Sequence, residues 1–345
     1  MTWRRGFCVP GKVMRLSCFW RTRLFGICCA AQCEALRVPL IVRKQKLMPL
    51  EFKGVFPAPP TPVTADGQIN EKALRALLED NMQHGCGGFW MAGSTGEGPI
   101  LTEVQRDAVA EISADVCGER ALVIMHVGSM STASATRAAR TARAAGCAAV
   151  CCLPPLFFMS NERSVIDYYK TVADAAGDLP FFVYNLPQLT QVETVPALME
   201  KLVREISTLK GLKHSAYNFS HIRIFADMGL TCFSGNGAFP LPSLDMGAVG
   251  TIDAPLAIAP WHYVALHRAW ASGDAVRARA LQDETRKFVD LVWMYNAHAD
   301  VCKTVLSERL GIDCGRSIPP VIRLSDAERS EVLRVANALS VTRQP

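Results

Sequence analysis

The chain has 345 residues, of which 50% are hydrophobic and 20% are charged, which is enough apolar sequence for one large core. No apolar run reaches the roughly 18–20 residues that span a bilayer, so the sequence predicts no membrane segment. The net charge of +5 arises in residues 1–47, which hold seven arginines and three lysines against the single acid Glu34. The rest of the chain is mildly acidic, which argues against nucleic acid as a partner.

Residues 1–47 are predicted to lie outside the fold. They are rich in arginine and poor in acids, as an organelle transit peptide would be. They also contain few serines and no amphipathic period, which favours the alternative that Met48 is the true start. Without a transit peptide, the protein is predicted to be cytoplasmic; with one, it would be imported into an organelle.

The cysteines and histidines show no metal-ligand spacing. Five of the 13 cysteines lie in the N-terminal extension, and the other eight occupy apolar positions without a CxxC pair: Cys86, Cys117, Cys147, Cys151, Cys152, Cys232, Cys302 and Cys314. These eight are predicted to be buried free thiols of a reducing compartment. We expect no metal site.

Short apolar runs alternate with helical patterns from residue 53 onward. Strands are predicted at Gly54–Ala58, Gly88–Ala92, Ala121–Val127, Ala148–Leu153, Phe181–Tyr184, Leu209–Lys213, Thr231–Ser234 and Gly250–Ile252. Helices are predicted at Glu71–Gln83, Glu103–Val116, Ala133–Ala145, Glu162–Ala176, Pro196–Arg204, His221–Met228 and Phe239–Met246. Expected N-caps are Asn70, Thr102, Asn161 and Thr194, and expected helix-ending glycines are Gly85, Gly146 and Gly177.

This alternation predicts a (β/α)8 TIM barrel, with an open doubly wound sheet as the structural alternative. The barrel is assigned to residues 48–256. Residues 257–345 are predicted to form a C-terminal helical region, interrupted at the sequence SIPPVIRLS. In such barrels the active site lies at the C-terminal ends of the strands, so the residues that follow each apolar run are the candidates for function.

Three strand ends carry polar groups of chemical interest. The loop Gly93–Glu97 offers N–H and O–H donors that suit a carboxylate or phosphate, although taken alone it is better explained as an ordinary polar turn. Tyr184 ends the fifth strand, either as a hydrogen-bonded core residue or as a proton relay. Lys213 ends the sixth strand, either as a solvated terminus or as an amine that burial keeps neutral and nucleophilic. Together the three fit a 2-oxo acid that forms a Schiff base.

The sequences GSTGE (93–97), YNLPQLT (184–190) and GLKHS (211–215) resemble the signatures of the class I pyruvate-dependent aldolases, which include N-acetylneuraminate lyase and dihydrodipicolinate synthase. HVGSMST (126–132) and the segment 302–325 resemble the lyase branch in particular. The resemblance implies Schiff-base chemistry without metal or organic cofactor, and pyruvate and an aldehyde as small-molecule partners. It also implies a homo-oligomer, expected to be a tetramer.

By this resemblance, Lys213 forms the Schiff base and Tyr184 relays protons. Ser94 and Thr95 hold the pyruvate carboxylate, and Thr95 also links into the relay. Four further positions are implied to border the substrate: Ser215, Gly235, Asp253 and Leu189.

Departures from the family pattern bear on the substrate. Leu189 stands where synthases have an arginine for a dicarboxylate, which argues against dihydrodipicolinate synthesis. Gly237 and Ala238 replace an Asp-Glu pair that holds the polyol in sialate lyases, and Ala254 replaces a serine. A site without these groups loses discrimination for a polyol, so sialic acid is not expected to be the natural substrate. Asp253 is predicted to supply a new polar contact.

A further departure is Phe157, which stands where many members have a tyrosine that reaches the neighbouring subunit.

Taken together, the motifs and the departures predict a lyase that cleaves a 2-oxo acid at C3–C4, releasing pyruvate and an aldehyde. The alternatives are a dehydratase or synthase with the same Schiff base, and a barrel that binds a 2-oxo acid without turnover.

Overall fold

The computed structural model describes residues 50–343. The prediction of a transit peptide or a start at Met48 concerns residues 1–47, which lie outside the described residues. No helix between residues 50 and 343 is both long and apolar enough to cross a bilayer.

Eight parallel strands form the centre of the fold: β1 Gly54–Val55, β2 Gly88–Met91, β3 Leu122–His126, β4 Ala149–Cys152, β5 Phe181–Asn185, β6 Leu209–His214, β7 Thr231–Ser234 and β8 Gly250–Thr251. Consecutive strands pair from β2 to β8, and β8 pairs with β1. Backbone hydrogen bonds from Gly87 N to Val55 O (3.2 Å) and from Trp90 N to Pro57 O (2.9 Å) join the two remaining edges. The TIM barrel is confirmed, and the open sheet is wrong.

The predicted strands are present, but β1 is three residues shorter than expected. Pro57, Pro59 and Pro60 follow it closely, and proline has no N–H to donate to a neighbouring strand. The apolar run therefore continues past the last residue that can pair regularly.

Helices surround the barrel and continue beyond β8: α1 Glu71–Gln83, α2 Glu103–Cys117, α3 Thr132–Ala144, α4 Glu162–Ala176, α5 Pro187–Thr190, α6 Pro196–Glu205, α7 Ser220–Asp227, α8 Pro240–Asp245, α9 Pro255–Ile258, α10 Pro260–Ala271, α11 Ala275–Val292, α12 His298–Leu310 and α13 Asp326–Ala338. Each predicted helix is present with ends within one residue. The C-terminal region is helical, and its break lies between α12 and α13. The division of the chain into domains at residue 256 stays a prediction.

Three of the four predicted N-caps are confirmed, because the side chains of Asn70, Thr102 and Asn161 accept backbone hydrogen bonds in the first turns of their helices. The prediction for Thr194 is wrong. Val195 precedes α6, whose first residue is a proline, and the Thr194 N–H donates to Asn185 Oδ1 at 2.9 Å.

Alternation along the strands separates two apolar clusters. Leu212 packs outward against the helices, whereas Phe182, Tyr184 and Phe233 fill the barrel interior. On β6, Lys210 is exposed while Lys213 is 97% buried. Successive side chains of a strand point to opposite faces, so two residues three positions apart lie on opposite sides of the sheet. The fold thus places one lysine of β6 inside the barrel.

Candidate active site

Lys213 and Tyr184 lie side by side because β5 and β6 are parallel neighbours in which these two residues are paired in register. The Lys213 amine donates to the Tyr184 hydroxyl at 3.2 Å. Only 3% of Lys213 and 2% of Tyr184 are exposed. An amine and a phenol are therefore in contact at the C-terminal ends of the strands, away from bulk water.

Aromatic rings surround the amine. Lys213 Nζ lies 4.5 Å from the centroid of the Tyr184 ring and 5.6 Å from that of Trp90, which packs edge-on against Tyr184. Such faces attract a cation, so this pocket suits a positively charged nitrogen at this position. The sequence analysis did not identify Trp90, since a tryptophan in a buried strand has the pattern of an ordinary core residue.

The Ser94 hydroxyl extends this contact, because its Oγ lies 3.1 Å from the Tyr184 hydroxyl. A continuous hydrogen-bonded path therefore joins Lys213, Tyr184 and Ser94. Thr95, which we predicted to link into the relay, makes no hydrogen bond to Tyr184 within the described residues, whereas Ser94 does. Thr95 is 95% buried and lines the same cavity.

A buried ion pair lies directly behind the loop that carries Ser94 and Thr95. Glu97 has left-handed backbone (φ 57°) and places its carboxylate 2.5 Å from Lys303 Nζ on α12. Glu97 also accepts from Ile318 N at 2.5 Å, and Lys303 donates to Arg316 O at 3.0 Å. Burial raises the pKa of Glu97 and lowers that of Lys303, and each shift is opposed by the charge of the partner. The loop is thus fixed to the C-terminal region by a contact that the sequence analysis missed.

Asp253 follows β8 and faces the cavity. Its carboxylate accepts from Gly237 N at 2.7 Å and from Ala254 N at 2.8 Å. Burial raises the pKa of Asp253, although the charge of Lys213 opposes the shift. A Cβ at Gly237 would lie 3.0 Å from Asp253 Oδ2, so the Asp253 carboxylate occupies space that a side chain at position 237 would need.

Gly235 lies where a side chain would close the site. A Cβ there would lie 1.9 Å from Ser215 Oγ and 3.1 Å from Lys213 Cε. The residue is therefore a glycine for reasons of space next to the lysine.

A single cavity of about 460 Å³ contains all eight predicted site positions in its lining: Ser94, Thr95, Tyr184, Leu189, Lys213, Ser215, Gly235 and Asp253. Its volume is that of a small-molecule site. Val289, Trp293 and His298 also line it, although they belong to the C-terminal region that we assigned outside the barrel. Phe157 is 85% exposed and does not line the cavity.

Among residues 50–343, no cluster of three or more histidine, cysteine or acidic side chains has the arrangement of a metal site. The eight cysteines after residue 48 are free and buried, as predicted. Burial raises the pKa of several of these thiols, that of Cys152 to about 12. They are not placed to act as nucleophiles.

The closed parallel barrel and the buried lysine beside a tyrosine at its C-terminal face define a barrel of the class I aldolase type. The model of the Dihydrodipicolinate synthetase family matches residues 51–339, and the chain belongs to this family. The family resemblance seen in the sequence is thereby confirmed. The protein is an enzyme of the lyase or synthase type.

Relatives of both types are similar to the chain. A 4-hydroxy-tetrahydrodipicolinate synthase of Syntrophus aciditrophicus is 30% identical over 82% of this chain and 97% of its own length. An N-acetylneuraminate lyase of Enterobacter sp. strain 638 is 31% identical over 71% of this chain and 83% of its own. Enzymes of this family form a lysine Schiff base with pyruvate and need no external cofactor.

Solved structures agree with this assignment. The wild-type sialic acid aldolase of Ruminococcus gnavus superposes with a TM-score of 0.79 at 25% identity, covering 84% of this chain and 98% of that one. YagE, a prophage protein of the dihydrodipicolinic acid synthase family from E. coli K12 solved with pyruvate, gives 0.76 at 26% identity, covering 84% and 99%.

Proposed function

We propose that the protein is a lyase that cleaves a 4-hydroxy-2-oxo acid between C3 and C4, giving pyruvate and an aldehyde, and that catalyses the reverse condensation. The observation that carries the proposal is the hydrogen-bonded path from Lys213 through Tyr184 to Ser94 at the base of the cavity. An amine nucleophile, a proton relay and carboxylate-binding hydroxyls are the groups that this reaction needs.

In the first half of the reaction, the hydroxyls of Ser94 and Thr95 hold the substrate carboxylate. The neutral amine of Lys213 attacks C2, and proton transfer gives a carbinolamine. Tyr184 donates its proton to the departing hydroxyl, so that water leaves and an iminium ion remains. The resulting phenolate lies beside the iminium nitrogen, since the two parent atoms are 3.2 Å apart. Opposite charges are thus formed in contact within a water-poor site.

In the second half, the Tyr184 phenolate accepts the proton of the C4 hydroxyl, the C3–C4 bond breaks and its electron pair passes to the iminium nitrogen. The aldehyde leaves and an enamine remains. Tyr184 returns its proton to C3, and water then adds to the iminium and releases pyruvate and the lysine amine. Atoms and electrons balance without oxidation or reduction, so no co-reactant besides water is needed.

The lining of the cavity supports cleavage over dihydrodipicolinate synthesis. Leu189, in α5, lines the cavity and is 67% exposed. Among the described residues that line the cavity, Lys213 is the one basic side chain besides His298. A second carboxylate on the substrate would lack the guanidinium that binds such groups in two-point contact.

Borohydride trapping tests the proposal. Treatment with pyruvate and borohydride is expected to reduce the imine to a stable amine on Lys213, which peptide mass spectrometry identifies. Lys213→Ala abolishes the adduct, whereas Lys210→Ala, which changes an exposed lysine of the same strand, retains it. A wild-type protein without an adduct on Lys213 contradicts the proposal.

Release of pyruvate from a panel of 4-hydroxy-2-oxo acids then separates an active lyase from a barrel that only binds the 2-oxo acid. A homotetramer and a cytoplasmic location stay predictions. Light scattering after size-exclusion chromatography measures the first, and fractionation of cells that express the full chain measures the second.

A further inference from the structure

The cavity has an outer subsite beyond the lysine and tyrosine, which we define by the side chains of Tyr217, Phe219, Phe239, Val289 and Trp293 with Asp253 and His298 at its polar end. We propose that this outer subsite binds the aldehyde half of the substrate, and that this half is an aromatic ring bearing a hydroxyl group. The proposal rests on the proposed lyase activity and names its substrate class.

The apolar side chains of the outer subsite are accessible to a ligand. Tyr217 is 87% exposed, Trp293 51% and Phe239 49%. Large apolar side chains grouped at a cavity rather than scattered over a surface mark a site that buries them on binding. Because the group shares one cavity with Lys213, an aldehyde bound there would lie next to the pyruvate enamine formed on that lysine.

The rings are arranged to contact a flat ligand. Phe219 and Phe239 meet nearly perpendicularly with centroids 6.2 Å apart, and Trp293 lies 5.0 Å from the His298 ring at a tilt of 36°. Edge-to-face and offset contacts of this kind favour an additional ring over an aliphatic chain.

Two polar side chains near the outer subsite each use one group within the protein, and of their other groups the buried Gln188 Oε1 has no partner among the described residues. Gln188 Nε2 donates to Ser215 O, and Asn236 Oδ1 accepts from Ala238 N. A polyol would leave several hydroxyls without partners against apolar walls, at a cost for each. The outer subsite therefore disfavours a sugar chain, in agreement with the glycine at 237.

Asp253 and His298 are the side chains that can hydrogen-bond one polar group of the ligand. Each carboxylate oxygen of Asp253 accepts one backbone N–H and retains acceptor capacity, so it requires a donor on the ligand. Burial lowers the pKa of His298, which favours the neutral ring with one donor and one acceptor nitrogen. A phenolic hydroxyl, which both donates and accepts, satisfies this pair.

The test compares substrates that share the reacting end. Pyruvate release is measured from 4-hydroxy-2-oxo-4-phenylbutanoate, from its three ring-hydroxylated isomers and from N-acetylneuraminate. We expect at least one hydroxylated aromatic substrate to exceed N-acetylneuraminate about tenfold or more in kcat/KM, which corresponds to about 1.4 kcal/mol. We expect it also to exceed the unsubstituted phenyl compound.

Variants locate the effect in the outer subsite. Trp293→Ala should lower kcat/KM for the aromatic substrates about tenfold, while Trp293→Phe retains most of it. Asp253→Asn should lower kcat/KM for the ring-hydroxylated substrates by a larger factor than for the phenyl compound. Val276→Ala is the control, since Val276 is 84% exposed on α11 and lies outside this cavity.

Borohydride trapping with pyruvate alone separates the two proposals, because pyruvate does not reach the outer subsite. Variants that trap pyruvate normally are folded and competent, so their kinetics report on the subsite. If trapping is normal and N-acetylneuraminate is cleaved as well as the aromatic substrates, the inference is wrong and the lyase proposal stands. The inference is also wrong if Trp293→Ala affects all substrates equally, as it would if the rings contacted a second copy of the chain. Absence of trapping in the wild type overturns both.

Discussion

Removing either charge of the Glu97–Lys303 ion pair should destabilise the protein more than most single substitutions do. Both side chains are fully buried in contact with each other, and each makes one further hydrogen bond to a backbone group of the C-terminal segment. Lys303→Met leaves a buried carboxylate with a single N–H donor, and Glu97→Gln leaves a buried ammonium with a single carbonyl acceptor. Breaking such a pair costs about 3–5 kcal/mol.

The double variant should lose less stability than the sum of the two single losses. The glutamine introduced at position 97 can still accept the Ile318 N–H through its amide oxygen, and the methionine introduced at position 303 fills the volume of the lysine stem without a charge. We expect a coupling free energy of about 2–3 kcal/mol between the two substitutions, the upper part of the range for residues in contact. Against a total stability of about 5–15 kcal/mol, each single variant loses a large fraction of it.

Urea denaturation of the four proteins, followed by tryptophan fluorescence and circular dichroism, measures these values. A second assay follows the KM for the 2-oxo acid, because the pair holds the loop that carries Ser94 and Thr95. KM should rise in the single variants, and in the double variant it should rise by less than the product of the two single increases. Single variants that each lose less than about 1 kcal/mol and add without coupling would refute the reasoning.

Three further predictions concern protonation and space. Burial lowers the pKa of His214 to about 4, whereas a histidine of the unfolded chain has a pKa of about 6.5. Between these two values the free energy of unfolding falls by about 1.4 kcal/mol for each unit by which the pH is lowered. His214→Gln removes this contribution to the slope, which is measured by denaturation at pH 7, 6 and 5. Gly235→Ala should slow pyruvate trapping about tenfold or more without unfolding the protein, since the new methyl group displaces Ser215. Gly237→Asp should cost about 1–3 kcal/mol by crowding Asp253, and Asp253→Gly in the same chain should relieve it, as measured in urea.

Matched variants guard these three measurements. Burial also lowers the pKa of His126, to about 3. In His214→Gln, His126 should therefore still contribute to the fall of the free energy of unfolding with falling pH, so this slope decreases without vanishing. Gly87→Ala controls for Gly235→Ala, because a Cβ at 87 meets no atom nearer than 3.6 Å. Equal acid slopes for wild type and His214→Gln, normal trapping by Gly235→Ala, or a double variant no more stable than Gly237→Asp would contradict the respective prediction.

The fold and the inner site could be predicted because they depend on local pattern. The change between periods of two and about 3.6 residues located the strands and helices. Tyr184 and Lys213 could be paired without coordinates, since parallel strands of a barrel bring their C-terminal ends to one face. The exposed Lys210 shows that the same periodicity also distinguishes the interior lysine from its neighbour on β6.

The missed contacts depend on properties that periodicity does not encode. Ser94 and Thr95 are adjacent, and which hydroxyl reaches Tyr184 is decided by the backbone of a loop bounded by left-handed residues at Ala92 and Glu97. Trp293 reaches the cavity from the end of α11, and a helical pattern shows which face is buried but not against which distant element.

The bond from Ile318 to Glu97 has a consequence for synthesis of the chain. The loop that presents Ser94 is completed by a segment that follows all eight strands in the chain and is translated after them. All eight strands are then already outside, so a barrel can assemble on the nascent chain while its carboxylate-binding loop still lacks its anchor. Activity is therefore expected only after the final helices have docked, which makes products of premature termination before α12 inert towards the 2-oxo acid.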